Sequence, residues 1–229
     1  MTSLNSYREG VQCVNRKMNI IFLCQPLSKN RMTIQYYLFD LDDTIIDTKI
    51  YAEVYEPLLD MICKNLKITR NELDKKAENA GLKKNKFDRW DSGELCKQWD
   101  LLEEYYRILE AHIKVLPVLK DNVLKTFERI KAKGGKIGIV SNSMARTIMG
   151  YINKYGLKKY LDFVFSRDDA GCKKDKEEYW KALTEKRHLK PSECLVIGDD
   201  PEHDVKTPSK LGFKSLLVSS SEDFDKICS

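Results

Sequence analysis

The sequence predicts an α/β protein in which a doubly wound parallel sheet carries an inserted, all-helical subdomain. From residue 116 onward, short apolar runs that suit strands alternate with stretches that suit helices. Between residues 48 and 115 only helical spacing is found. Strands separated by helices pair in parallel through right-handed crossovers. A chain of 229 residues is long enough for one such domain with its insertion.

The first strand is predicted at residues 34–39. This near-continuous apolar run ends in acidic residues, as expected for a strand buried on both faces. The residues before Met32 show no sustained periodicity. We expect residues 1–31 to be an N-terminal extension, either flexible or produced by an upstream start site, with a short packed element as the alternative.

Three helices are predicted in the insertion. One opens with a capping box formed by Thr69 and Glu72, and a later one begins at Ser92 and carries apolar residues as far as Leu109. The first helix has an apolar face made of Tyr55, Leu58, Leu59, Ile62 and Leu66.

The second half of the chain supplies the rest of the sheet. A helix should end near Lys133, where Gly134-Gly135 stops it. The next strands are predicted at 136–140, 162–165, 194–197 and 214–218, with helices at 146–155 and 176–188. The sheet domain therefore comprises residues 32–47 and 116–229, and the helical subdomain comprises residues 48–115.

Composition excludes several classes of protein. The formal charge of +5 is spread along the chain, with no basic patch interleaved with aromatic residues, so no nucleic-acid partner is expected. The seven cysteines lack C-x-x-C spacing, which argues against a disulfide framework or a zinc site and favours a reducing cytoplasm. The N-terminal apolar run at residues 20–24 is too short to span a membrane, so no membrane partner is expected either.

Polar side chains follow three of the predicted strands. Because parallel strands end at one edge of the sheet, these side chains should meet there. Carboxylates gathered at one place repel each other unless a cation neutralises them, and a set of oxygen ligands alone suits Mg²⁺. The polar side chains that follow these strands are Asp40, Asp42 and Thr44 after the first strand, Ser141 and Asn142 after the second, and Asp199 after the strand at 194–197, with Asp204 five residues later.

These motifs resemble those of the haloacid dehalogenase superfamily, in which they occur in the same order. The resemblance extends from about Thr33 to Val218 and includes a lysine, Lys174, between the second and last motifs. It implies a Rossmann-like core with an inserted helical cap, and the phosphatase branch in particular, similar to phosphoglycolate phosphatase. Dehalogenases of this superfamily lack an acid at the position of Asp42.

The resemblance also implies a role for each motif residue. Asp40 would be the nucleophile that becomes phosphorylated, and Asp42 would act first as acid and then as base. Two positions apart in an extended stretch, these two residues point to the same side. Thr44 would brace the turn, whereas Ser141 and the amides around Asn142 would hold phosphate oxygens.

The remaining roles concern the lysine and the metal. The resemblance implies that a catalytic lysine adds positive charge near the nucleophile and binds the phosphate. Spacing from Gly171 favours Lys174 for this role, with Lys173 as the alternative, because Asp175 stands where the family has proline. The resemblance implies that Asp40, Asp199 and the backbone carbonyl of Asp42 bind Mg²⁺. It gives Asp204 a supporting role.

The expected activity is Mg²⁺-dependent hydrolysis of a phosphate monoester. The substrate is expected to be small, because a cap in this position resembles those that enclose the site and exclude macromolecules. Phosphoglycolate, other phosphorylated organic acids, sugar phosphates and nucleoside monophosphates all remain candidate substrates. The alternatives are a phosphomutase of the same family, similar to β-phosphoglucomutase, and a non-catalytic regulator that binds phosphate.

Overall fold

A computed structural model describes residues 33–85 and 88–228. Its sheet has five parallel strands, in the order β3-β2-β1-β4-β5. The strands are β1 (Tyr36–Phe39), β2 (Lys136–Val140), β3 (Phe163–Phe165), β4 (Cys194–Gly198) and β5 (Lys214–Leu217). In register, Tyr36 of the central strand lies between Lys136 and Cys194. The strand order reverses at β1, so the crevice beside its carboxyl end is the expected binding position.

Helices separate and follow these strands. Four of them lie in the insertion, between residues 48 and 115: α1 (Lys49–Leu66), α2 (Arg70–Asn79), α3 (Ser92–Gln98) and α4 (Leu102–Val115). The others are α5 (Val123–Ala132), α6 (Ala145–Tyr155), α7 (Arg167–Ala170), α8 (Glu177–Arg187) and α9 (Thr207–Ser209). Short 3-10 segments occur at Leu157–Lys159, Pro191–Glu193 and Ser221–Cys228, and a π-helical turn at Pro201–Lys206.

The two faces of the sheet are buried by different helices. Leu38 of β1 packs in a cluster with Trp180 of α8, whereas its neighbour Phe39 packs in the larger cluster with Phe127 of α5. Successive residues of a strand point to opposite faces, so this division places helices on both sides of the sheet. The predicted fold, a doubly wound sheet with a helical cap, is confirmed.

The cap helices follow the sequence pattern with one correction. The capping box of α2 is present, since the amide of Glu72 donates to the hydroxyl of Thr69 and the amide of Thr69 donates to the Glu72 carboxylate. The helix expected to run from Ser92 to Leu109 is instead two helices, α3 and α4. Between them Asp100 adopts a left-handed conformation with φ of 58°, which breaks the helix, and aspartate tolerates this conformation better than most residues.

Gly134 and Gly135 end α5 as expected. Gly134 has a φ of 78°, in the left-handed region that favours glycine at the end of a helix. A Cβ on Gly135 would come within 2.6 Å of Ile130 and 2.9 Å of Tyr37, so the chain turns closely between helix and strand.

The prediction for residues 1–31 lies outside the described residues. Within the described ranges no helix is both long and apolar enough to cross a membrane.

Candidate active site

Three strands deliver the motif residues to one edge of the sheet. Asp40 directly follows β1, Ser141 follows β2 and Asp199 follows β4. The backbone continues the pairing for one more residue, because the amide of Asp40 donates to Ile197 and the amide of Ser141 donates to Phe165. Asp40 and Ser141 are buried and Asp199 is half-buried. The expected meeting of strand ends therefore occurs.

Lys174 lies at the centre of this group. Its ammonium donates to Oδ1 of Asp40 and, at 2.6 Å, to Oδ1 of Asp204, and its side chain is only 2% exposed. Burial alone would lower the pKa of Lys174, but the two carboxylates raise it above its ordinary value. Lys173 points elsewhere and contacts Asp91 at 3.0 Å. Of the two candidate lysines, Lys174 is the one beside Asp40.

The carboxylates of Asp40, Asp199 and Asp204 form a cluster in which each offers an oxygen within 4.8 Å of the others. Burial, assisted by the charges of Asp204 and Asp43, raises the pKa of Asp199 to about 6. Only one ammonium, that of Lys174, contacts this cluster among the described residues. Crowded, oxygen-only donors with excess negative charge fit a hard divalent cation such as Mg²⁺.

The carboxylate of Asp42 is not one of the three in that cluster. Its Oδ1 accepts a hydrogen bond from the Tyr51 hydroxyl at 2.9 Å, and its Oδ2 accepts one from the Ser143 hydroxyl at 2.7 Å. Burial raises the pKa of Asp42, although these two hydrogen bonds oppose the shift. Any part that Asp42 takes in metal binding would thus fall to its backbone carbonyl, which the family resemblance implies.

The residues predicted to hold phosphate also contact one another. The Ser141 hydroxyl accepts from the amide of Ser143 at 2.9 Å, and Oδ1 of Asn142 accepts from the amide of Lys174 at 2.7 Å. The side chain of Asn142 thereby holds the loop that carries the lysine.

Thr44 is fully buried, and its hydroxyl has no hydrogen-bond partner among the described residues. In the same turn, Asp43 accepts from both the amide and the hydroxyl of Thr48.

The spacing from Gly198 to Asp204 has a steric reason. A Cβ on Gly198 would collide with the Asp204 carboxylate, so glycine leaves the space that this side chain needs at the end of β4. Asp200 caps the following π-helical turn by accepting from the amides of Glu202 and His203, and its own amide donates to Asp204 at 3.1 Å. The turn therefore returns Asp204 to the strand end, where it contacts Lys174.

A second ionic cluster beside the site was not predicted from the sequence. Asp91, which caps α3, accepts from Arg167 at 3.1 Å and from Lys173 at 3.0 Å, and Glu94 pairs with Arg167 at 2.9 Å. Burial opposes ionisation of Asp91, but the two cations hold its pKa below the ordinary value. The cap is thus tied to the core next to the loop of Lys174. Arg167 and Lys173 follow Asp91 by 76 and 82 residues, so local spacing in the sequence gave no signal of these contacts.

Fold and site together describe an α/β protein that has a carboxylate-rich centre at the carboxyl ends of its strands and an inserted helical cap. A family model described as haloacid dehalogenase-like hydrolase matches residues 37–218, and the chain belongs to this family. The resemblance seen in the motifs is confirmed.

Several of the similar proteins are named phosphatases. The chain is 26% identical over 197 residues to glyceraldehyde 3-phosphate phosphatase of Methanocaldococcus jannaschii, covering 81% of this chain and 85% of that protein. It is 28% identical over 204 residues to pyrophosphatase PpaX of Bacillus cereus, covering 82% and 84%. The structure of a HAD phosphatase from Thermococcus onnurineus superimposes with a TM-score of 0.65 at 23% identity, covering 82% and 87%, which supports the fold. The chain is a phosphatase-type hydrolase.

Proposed function

We propose that this enzyme hydrolyses a small phosphate monoester with Mg²⁺ as cofactor, through a phosphorylated Asp40. The observation that carries the proposal is the buried ammonium of Lys174 between Asp40 and Asp204, with Asp199 in the same cluster. A phosphate entering this edge of the sheet would meet one positive group, a nucleophilic carboxylate and the hydroxyl of Ser141. Positioning and charge stabilisation of this kind account for most of the catalysis of phosphoryl transfer.

In the first step, Asp40 attacks the phosphorus in line with the leaving oxygen. Lys174 holds Oδ1 of Asp40, so the other carboxylate oxygen forms the new bond to phosphorus while the ester P–O bond breaks. Asp42 transfers a proton to the departing alkoxide, and burial, which raises the pKa of Asp42, favours its protonated form.

In the second step, water attacks the phosphorus of the aspartyl phosphate. Asp42, now ionised, takes a proton from this water, the bond between Asp40 and phosphorus breaks, and inorganic phosphate leaves. Ser141 and the amides around Asn142 hold the phosphate oxygens throughout. Asp40, Asp199 and the backbone carbonyl of Asp42 would bind Mg²⁺, which when bound offsets negative charge on the phosphate. Asp204 supports the centre through Lys174.

The proposed substrate is a small phosphorylated metabolite, and the proposed location is the cytoplasm. Helices α1–α4 form the cap that is inserted after β1, and a cap that closes over the strand ends limits access by large molecules. The names of the relatives, a glyceraldehyde 3-phosphate phosphatase and a pyrophosphatase, also refer to small phosphorylated compounds. A phosphomutase of the same family is the second candidate, and a non-catalytic phosphate-binding protein is the third.

The test is a panel of phosphate esters, together with the anhydride pyrophosphate, assayed with purified enzyme and Mg²⁺. The panel should contain glyceraldehyde 3-phosphate, pyrophosphate, phosphoglycolate, sugar phosphates and nucleoside monophosphates. We expect release of inorganic phosphate that EDTA abolishes and added Mg²⁺ restores. Accumulation of an isomerised sugar phosphate in place of free phosphate would instead identify a mutase.

Asp40→Asn provides the matched variant for this assay. The amide cannot attack phosphorus, so turnover should fall by at least about 10³-fold while the circular dichroism spectrum stays that of the wild type. The proposal is wrong if the wild type releases no phosphate from any compound in the panel, or if Asp40→Asn retains appreciable turnover.

A further inference from the structure

Asp42 lies where the cap meets the core, and its two carboxylate oxygens have partners on opposite sides of that boundary. Tyr51, in the first turn of α1, donates to Oδ1 at 2.9 Å. Ser143, in the loop after β2, donates to Oδ2 at 2.7 Å. Tyr51 is separated from Asp42 by 9 residues and Ser143 by 101. One donor therefore belongs to the cap and the other to the core.

The position of Tyr51 is itself determined by the loop that follows Asp42. The amide of Tyr51 donates to the carbonyl of Thr48 at 2.9 Å. Thr48 in turn donates to the Asp43 carboxylate through its amide at 3.1 Å and its hydroxyl at 2.8 Å. The start of α1 is thus attached to the residue next to Asp42. A shift of α1 relative to the core would change the distance from the Tyr51 hydroxyl to Asp42.

We propose that Tyr51 is a positioning residue that, together with Ser143, orients the Asp42 carboxyl for proton transfer when the cap is packed against the core. The proposal deepens the proposed function and rests on it. An unrestrained carboxyl rotates among several orientations, whereas a donor on each oxygen selects one. Proton transfer requires the acid within hydrogen-bond reach of the leaving oxygen, and a misplacement of about 1 Å can cost about 10²-fold in rate.

The experiment compares two leaving groups, because only one of them needs the acid. An alkyl phosphate leaves as a strongly basic alkoxide that must be protonated, whereas p-nitrophenyl phosphate leaves as a weakly basic phenolate. The ratio kcat/KM reports the steps up to the first irreversible one, which here is transfer of the phosphoryl group to Asp40. Tyr51→Phe keeps the ring and removes the hydroxyl. We expect its kcat/KM to fall by about 10- to 100-fold for the alkyl phosphate and by less than about threefold for p-nitrophenyl phosphate.

Tyr55→Phe is the matched control. Tyr55 lies one turn further along α1, and its hydroxyl accepts from the amide of Trp90 at 3.1 Å, away from Asp42. This variant makes the same chemical change in the same helix and should leave the ratio of the two kcat/KM values at the wild-type level. Ser143→Ala removes the hydrogen bond that Asp42 accepts from the core and leaves the cap unaltered. It should reproduce the difference between the two substrates that Tyr51→Phe shows.

A double-mutant comparison ties the effect to Asp42. In an Asp42→Asn background no carboxyl remains to be oriented, so adding Tyr51→Phe should not change the ratio further.

Equal losses on both substrates in Tyr51→Phe and Ser143→Ala would overturn the inference, since a merely structural role lowers both alike. If Tyr51→Phe does not fold, the decision rests on Ser143→Ala. Wild type that hydrolyses neither p-nitrophenyl phosphate nor any compound of the panel would overturn the proposed function and the inference together. If Asp42→Asn lowers kcat/KM selectively for the alkyl phosphate but neither Tyr51→Phe nor Ser143→Ala does so, the inference alone is overturned.

Discussion

At the scale of single residues, Lys174 shows how the charges of the site depend on one another. Removing an ammonium from water costs several kcal/mol, and this penalty is offset only when carboxylates and hydrogen bonds surround it. Here Asp40 and Asp204 supply the carboxylates. The same contacts leave these two acids dependent on the lysine, so the three side chains are stable only as a group.

Replacing Lys174 by alanine should therefore damage both stability and activity. Two buried carboxylates would lose their cation, which should lower the free energy of unfolding by about 3–5 kcal/mol and reduce kcat/KM by at least about 10²-fold. Urea unfolding and steady-state kinetics provide the two measurements.

Lys173→Ala is the control for this change, since the side chain of Lys173 is 43% exposed and its ammonium contacts the Asp91 carboxylate, which is 38% exposed. A surface pair of this kind contributes at most about 1 kcal/mol, so stability should change little and kcat/KM should stay near that of the wild type. Comparable activity losses in the two variants would contradict the assignment of Lys174 as the lysine of the site.

Some of these residues could be predicted from the sequence and others could not. Asp40, Ser141 and Asp199 directly follow apolar runs, and parallel strands bring their ends together, so local pattern was enough. Tyr51 and Ser143 contact Asp42 only because a helix and a loop fold over it. Tyr51 has the helical spacing of a core residue and Ser143 that of a helix cap, so neither pattern indicates a contact with the acid.

At the scale of secondary-structure elements, α3 is docked onto the core by its first residues. Asp91 caps the helix by accepting from the amides of Gly93 and Glu94, and the same carboxylate binds Arg167 and Lys173. The side chain of Arg167 is only 10% exposed. One carboxylate thus both begins a cap helix and holds the cap against the core.

Asp91→Asn should weaken this docking in a pH-dependent way. Asparagine caps a helix as well as aspartate does, so the substitution removes mainly the charge. Stability at pH 7 should fall by about 1–2 kcal/mol, a range reduced for the partial exposure of Asp91. The pKa of Asp91 is lowered in the folded protein. Its contribution is therefore fully present above the ordinary carboxyl pKa of about 4 and is lost as the pH falls through the lowered value.

Unfolding experiments on wild type and Asp91→Asn across pH 3 to 7 would measure this difference. The gap between the two proteins should be constant above about pH 5 and should narrow below about pH 4. Asp60→Asn, at a site that is 77% exposed and paired with Arg70, should change stability by less than about 1 kcal/mol. A gap that stays the same at low pH would show that the charge of Asp91 does not hold the cap.

The order and type of most elements followed from periodicity, whereas the exact course of the cap did not. Strands and helices of the core ended within a few residues of the predicted positions because glycines and polar turns mark their ends. The break between α3 and α4 at Asp100 was missed, since the apolar spacing continues across it and an aspartate gives only a weak stop signal. Conversely, the interior proline of α1, Pro57, does not end that helix, although proline lacks the backbone donor of other residues.

At the scale of the whole molecule, β1 is the central strand and the cap is inserted directly after it. β1 pairs with β2 on one side and β4 on the other, and its last residue leads into Asp40. The sheet, the cap and every residue of the proposed site come from residues 33–228, and the family match begins at residue 37. A shorter chain beginning at Met32 contains all of these parts.

We therefore expect a variant consisting of residues 32–229 to fold and to remain active. Its free energy of unfolding should lie within about 0.5 kcal/mol of that of the full chain. Its kcat/KM should stay within about twofold, which corresponds to about 0.4 kcal/mol of activation free energy. Thermal unfolding and the phosphate-release assay would measure both. A variant consisting of residues 40–229 lacks β1 and should not fold, because β2 and β4 would lose the strand that joins them. A large loss of stability or activity in the 32–229 variant would mean that residues 1–31 contribute to the folded domain, against the expectation of an extension.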